Sequence, residues 1–133
     1  MNEVVLDASV IIKWFAAEQR GTAEARELRN DYEAGHLFVM APELVFLEIL
    51  NAAGRRWGWG EDALLELAAS LDDLSLEVRE ADHQAVVSWV ARGLTAYDAA
   101  YVALAEEREV ILVTDDEVIL RLAPEISRPL VRG

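Results

Sequence analysis

Three short apolar runs, Val4-Val5-Leu6, Leu37-Phe38-Val39-Met40 and Val110-Ile111-Leu112-Val113, stand far apart with helix-length segments between them. A run of this length without polar alternation suits a strand buried on both faces. Parallel strands need a crossover of about a dozen residues or more, usually a helix. The spacing therefore predicts strands over Glu3–Leu6, Leu37–Met40 and Val110–Val113. Leu74–Arg79 alternates apolar and polar residues and adds a strand, and Arg128–Val131 supplies a last one. Helices are predicted over Ala8–Ala17, Gln19–Ala34, Glu43–Arg56, Glu61–Leu71, Asp82–Arg92, Thr95–Arg108 and Asp116–Leu122. Pro42 and Gly35 serve as start and stop signals. The expectation is one α/β domain over residues 1–133, with a central parallel sheet of about four to five short strands and helices on both faces. In such sheets the functional crevice lies beyond the carboxyl ends of the strands.

Composition narrows the chemistry. The chain has no Cys, which removes disulfides, thiolate metal sites and cysteine nucleophiles. It carries 12 basic and 25 acidic residues, a net charge of −13. A protein that grips nucleic acid through phosphate contacts alone needs the opposite balance. An acidic chain can still act on nucleic acid where bound cations bring the positive charge. The longest apolar stretch, Ala41–Leu50, is broken by Glu43 and Glu48 and falls short of the roughly 18–20 residues of a membrane span. Met1-Asn2-Glu3 lacks the basic start of a signal peptide. The expected setting is cytoplasmic, with no membrane partner.

Four carboxylates stand out. Asp7 and Asp116 follow predicted strands and precede helices, where either could simply cap the helix. Thr95-x-x-Asp98 is close to a capping box, with Asp in place of the usual Glu or Gln. Glu48 shares a helix face with Leu44, Val45 and Ala52, and Asp98 shares one with Tyr101, Val102 and Ala105. A carboxylate turned toward a core is costly unless it is paired. Glu48 could pair with Arg55 further along its helix, or it could hold a metal. Taken together, two strand-end acids and two inward helix acids make a possible site for a hard divalent cation.

In their surroundings these residues resemble a known family. Val4-Val5-Leu6-Asp7-Ala8-Ser9-Val10 resembles the opening of PIN domains, the ribonuclease domains of VapC-type toxins. Pro42–Ala52 is similar to their second motif, with Glu48 followed three residues later by Asn51. Leu94–Ala105, around Asp98, is similar to the third, and Leu112-Val113-Thr114-Asp115-Asp116 to the fourth. The four occur in family order over essentially the whole chain. The resemblance implies Asp7, Glu48, Asp98 and Asp116 as catalytic and metal-binding acids for Mg²⁺ or Mn²⁺. Ser9, Asn51 and Thr114 then support them, and the doubled acid leaves Asp115 beside the fourth position. It further implies an endoribonuclease toxin, a homodimer, and a cognate VapB-type antitoxin that inserts a basic side chain into the acidic pocket. The expected substrate is RNA.

Other functions fit less well. A receiver-type signalling domain needs a Lys after its last core strand, and the sole Lys, Lys13, lies in the first helix. A phosphatase with an Asp-x-Asp nucleophile is disfavoured by Asp7-Ala8-Ser9. A catalytically silent PIN-like binding module would have no use for the clustered acids. His36 and His83 are isolated and read as surface or capping residues. Arg55-Arg56-Trp57-Gly58-Trp59 is the one basic–aromatic cluster. It could stack on RNA bases or anchor a protein interface, and the interface is the favoured reading. Trp14 and Phe15 belong either to the core or to a groove for the antitoxin.

Overall fold

The computed structural model describes residues 2–16 and 21–131. Five parallel strands form the sheet: β1 (Asn2–Leu6), β2 (Leu37–Ala41), β3 (Glu77–Val78), β4 (Ile111–Val113) and β5 (Ser127–Arg128). Their order is β3-β2-β1-β4-β5. β1 is the centre, with Val4 opposite Val39 on β2 and Ile111 on β4. Val5, Leu6, Val39, Met40, Leu112 and Val113 are almost fully buried, which is why these runs carry no polar alternation.

Among the described residues seven α-helices surround the sheet: α1 (Ala8–Ile11), α2 (Thr22–Glu33), α3 (Leu44–Arg55), α4 (Glu61–Asp73), α5 (His83–Ala91), α6 (Ala96–Arg108) and α7 (Glu117–Leu122). The chain steps outward from β1 through β2 to β3, then crosses back to β4 on the other side of β1. Right-handed crossovers in opposite directions place their helices on opposite faces. α2 packs on β2, while α6 lies against both β1 and β4. α6 can approach closely because Ala99, Ala103 and Ala105 are among its buried residues. The reversal lies between β1 and β4, so a crevice opens at their carboxyl ends. Asp7 directly follows β1, and Thr114-Asp115-Asp116 directly follow β4.

Local boundaries depart from expectation in four places. The helix predicted over Ala8–Ala17 ends as α1 at Ile11 and tightens into a 3₁₀ turn over Ile12–Trp14; Ala17 lies outside the described residues. The next helix begins at Thr22; Gln19 and Arg20 also lie outside the described residues. The strand predicted over Leu74–Arg79 pairs only at Glu77–Val78, because Leu74 caps α4 and Ser75 turns to φ 53°. The last strand pairs at Ser127–Arg128 rather than over Arg128–Val131. Pro129, without an N–H, cannot continue the ladder.

Candidate active site

Asp7 is 5% exposed and caps α1. Its Oδ1 accepts from the Ser9 amide at 3.1 Å and from Ser9 Oγ at 2.5 Å. The Thr114 hydroxyl, at the end of β4, donates to its Oδ2. Thr114 Oγ1 in turn accepts from the Asp116 amide at 3.0 Å. Ser9 Oγ accepts from the Asp115 amide at 3.1 Å. One small network thus ties the end of β1 to the end of β4. Burial pushes the Asp7 carboxyl up to about 7, with Ser9 and Thr114 opposing and the charges of Asp116 and Glu48 adding to the rise.

Glu48, half-buried on α3, does not pair with Arg55. Its Oε1 accepts from the Tyr101 hydroxyl of α6 at 2.5 Å. Burial raises its pKa, the Tyr101 hydrogen bond opposes that, and the charges of Asp98 and Asp116 add to it. Tyr101 is 1% exposed, and burial followed by the bond to Glu48 drives its own pKa upward. Asp98 sits in the first turn of α6, where its amide donates to Thr95 Oγ1 at 3.1 Å. Burial and then the Asp116 charge raise the Asp98 carboxyl, against a hydrogen bond with Thr95. Asp116 caps α7, accepting from the Ile119 amide at 2.9 Å. The capping readings of Asp7 and Asp116 therefore hold, while at α6 the cap is Thr95, which accepts from the Asp98 amide.

All four acids line one cleft of about 530 Å³. The doubled acid divides cleanly. The charge of Asp116 acts on Asp7, Glu48 and Asp98 alike. Asp115 instead forms an ion pair with Lys13, whose side chain is 9% exposed. Ser9 and Asn51 also line the cleft, as do Arg55, Arg56 and Trp57. Trp59 stands behind Trp57, ring centroids 5.7 Å apart. Trp14 does not line this cleft. It is 8% exposed and stacks on Tyr32 at 6.0 Å, so burial leaves it little surface for RNA or a partner. His36 and His83 are exposed.

Two cleft residues escaped the sequence reading. Tyr101 lies three residues after Asp98 on the same helix face, so a hydroxyl on an inward acidic face was the available signal. Lys13 gave none, since its partner is 102 positions away.

The sequence model of the PIN domain matches residues 4–124. The chain belongs to the PIN domain family. Among solved structures, this PIN domain is similar to PAE2754 from Pyrobaculum aerophilum, with a TM-score of 0.67 and 22% identity over 97% of this chain and 90% of that one. It is also similar to Mycobacterium tuberculosis VapC20, a Sarcin-Ricin loop cleaving toxin, with a TM-score of 0.70 and 17% identity over 90% of this chain and 95% of that one. No curated protein matches it. No helix among the described residues is long and apolar enough to cross a membrane.

The donor set of the PIN cleft suits a hard divalent cation, being entirely oxygen. Burial is the leading cause of the upward shifts of Asp7, Glu48 and Asp98, and the charges of neighbouring acids add to each, a repulsion that a bound cation would offset. Among the described residues no three carboxylates stand ready as a metal cage. The fit thus rests on donor chemistry and on a shared cleft.

Proposed function

We propose that this PIN domain is a divalent-cation-dependent endoribonuclease that hydrolyses RNA phosphodiester bonds. The observation that carries the reading is the convergence of Asp7, Glu48, Asp98 and Asp116 on one cleft at the switch between β1 and β4. Asp7, Glu48, Asp98 and Asp116 would hold Mg²⁺ or Mn²⁺, which supplies an activated water and offsets charge on the transferring phosphoryl group. The protein's own part is positioning. Ser9 and Thr114 fix the Asp7 carboxylate between two strand ends. Tyr101 fixes Glu48 across the cleft. Asn51 and Asp115 stand beside them, and Lys13 neutralises Asp115 so that it does not add a fifth free acid.

The biological role that fits is a toxin of the VapC type with a VapB-type antitoxin. Support comes from the likeness to VapC20 and from the net charge of −13, which suits a basic inhibitory segment. The antitoxin would place an Arg or Lys in the acidic pocket. The active unit would be a homodimer in the cytoplasm.

The chemistry of the cut ends tests the reading. Attack by water leaves ordinary phosphate and hydroxyl termini, whereas attack by the ribose 2′-hydroxyl leaves a 2′,3′-cyclic phosphate. The expected products of total RNA are hydrolytic ends, formed only with Mg²⁺ or Mn²⁺. Cyclic phosphates formed in the presence of chelator would overturn it.

A further inference from the structure

α3 carries Glu48 in its middle and Arg55 at its end, and Arg56 and Trp57 follow directly. Arg55, Arg56 and Trp57 line the same cleft as the carboxylates. Arg55 and Arg56 are exposed, and neither takes part in an ion pair among the described residues. Among the described residues the one other base lining this cleft, Lys13, is paired with Asp115. In a chain with 25 acids and 12 bases, two free guanidiniums beside an acidic cleft need a reason.

Two general reasons are available. Cations suit the negative end of a helix, and they soften repulsion among nearby acids. Neither accounts for Trp57. Its indole is half-buried against the core, it lines the cleft, and Trp59 braces it at 5.7 Å with 42° between the rings. A braced aromatic beside free Arg side chains is the combination that holds single-stranded nucleic acid, stacking a base while phosphates are neutralised.

We propose that Arg55, Arg56 and Trp57 form a substrate subsite that holds the nucleotides next to the scissile phosphate of single-stranded RNA. The proposal rests on the nuclease reading of the cleft. Arg55 lies seven residues beyond Glu48, about 10 Å along the helix axis. The rim therefore meets the strand just beyond the reacting phosphate. With a net charge of −13 the chain as a whole disfavours phosphate, so two cations on the rim of the cleft favour entry of the strand there. A base inside a duplex has no free face for Trp57, so the subsite selects unpaired RNA.

The test uses a single-stranded RNA oligonucleotide carrying a site that the intact protein cuts in total RNA, alone and annealed to its complement. Arg55→Gln/Arg56→Gln should raise KM about tenfold, with a far smaller change in kcat. The slope of log KM against log salt should fall by about 0.7 per lost phosphate contact. Trp57→Leu should raise KM similarly, while Trp57→Phe, which keeps a stacking face, should stay near the parent. The annealed RNA should be a poor substrate for every form. If the arginine pair leaves KM and its salt slope unchanged, the subsite is wrong. Loss of self-association or of antitoxin binding at unchanged KM would assign the rim to a protein interface and overturn it as well. A parent protein that cuts no RNA would overturn the nuclease reading itself, a result distinct from either.

Discussion

The Tyr101 hydroxyl donates to Glu48 Oε1 at 2.5 Å, joining α6 to α3 across the acidic cleft. The two helices belong to different crossovers, so this bond helps set the width of the cleft. It also explains how Glu48 is tolerated half-buried without a cationic partner, since a hydroxyl that donates to a carboxylate favours the ionised form. Tyr101→Phe removes the donor and keeps the ring. The expected loss of stability is about 1–2 kcal/mol, read from the denaturant midpoint. Cleavage should fall more than tenfold, because Glu48 would no longer be held in place. Unchanged activity in Tyr101→Phe would show that the bond is only structural.

Asp98→Asn should separate function from folding. The ionised Asp98 carboxylate is penalised by burial and by Asp116, so a neutral side chain relieves the cation-free protein. The variant is expected to melt at or slightly above the parent temperature without divalent cation. With Mn²⁺ the parent should gain thermal stability by linkage and the variant should gain much less. Unfolding of Asp98→Asn would show that its place in the first turn of α6 outweighs the repulsion.

Stability of the cation-free protein should depend on pH through Asp7. Its carboxyl titrates near 7 in the folded protein, against 3.8 for an unperturbed Asp. Between those values the folded state binds more protons than the unfolded state, so stability falls as pH rises. The contribution is complete below pH 3.8 and is lost once pH passes about 7. Glu48 and Asp98 act in the same direction. The melting temperature should therefore drop between pH 5 and pH 8, and Asp7→Asn should flatten much of that slope. A parent protein that becomes more stable over this range without cation would contradict the assignment.

Lys13 and Asp115 can be tested as a pair. Lys13→Met leaves Asp115 without its cation at the edge of the cleft, at an expected cost of about 1–2 kcal/mol. That is less than for a fully buried pair, because the Asp115 side chain keeps 31% of its exposure. Combining Lys13→Met with Asp115→Leu should recover most of the loss, giving a favourable coupling in a double-mutant cycle. Additive losses would show that the two side chains do not depend on one another.

The sheet was legible in the sequence where strands are buried on both faces. Val4-Val5-Leu6, Leu37–Met40 and Val110–Val113 all pair close to the predicted bounds. At the edges, two-residue strands left too little pattern to read, and Ser75 and Pro129 decided the boundaries instead. The carboxylates were readable because each sits at a strand end or on an inward helix face. Thr114, 107 positions from Asp7, is legible through its motif, but the pairing of Tyr101 with Glu48 across 53 positions and of Lys13 with Asp115 across 102 is not. Composition alone leaves the arginine–tryptophan cluster between base stacking and an interface, and the path of α3 brings it to the cleft.

The most direct measurement of the central claim is cleavage of total RNA by the purified protein and by Asp98→Asn, each with Mn²⁺, with Mg²⁺ and with chelator. The account predicts discrete cuts by the parent protein in either cation, none in chelator, and none by the folded variant in any condition. RNA left intact by the parent in both cations, or cut equally by Asp98→Asn, would contradict it.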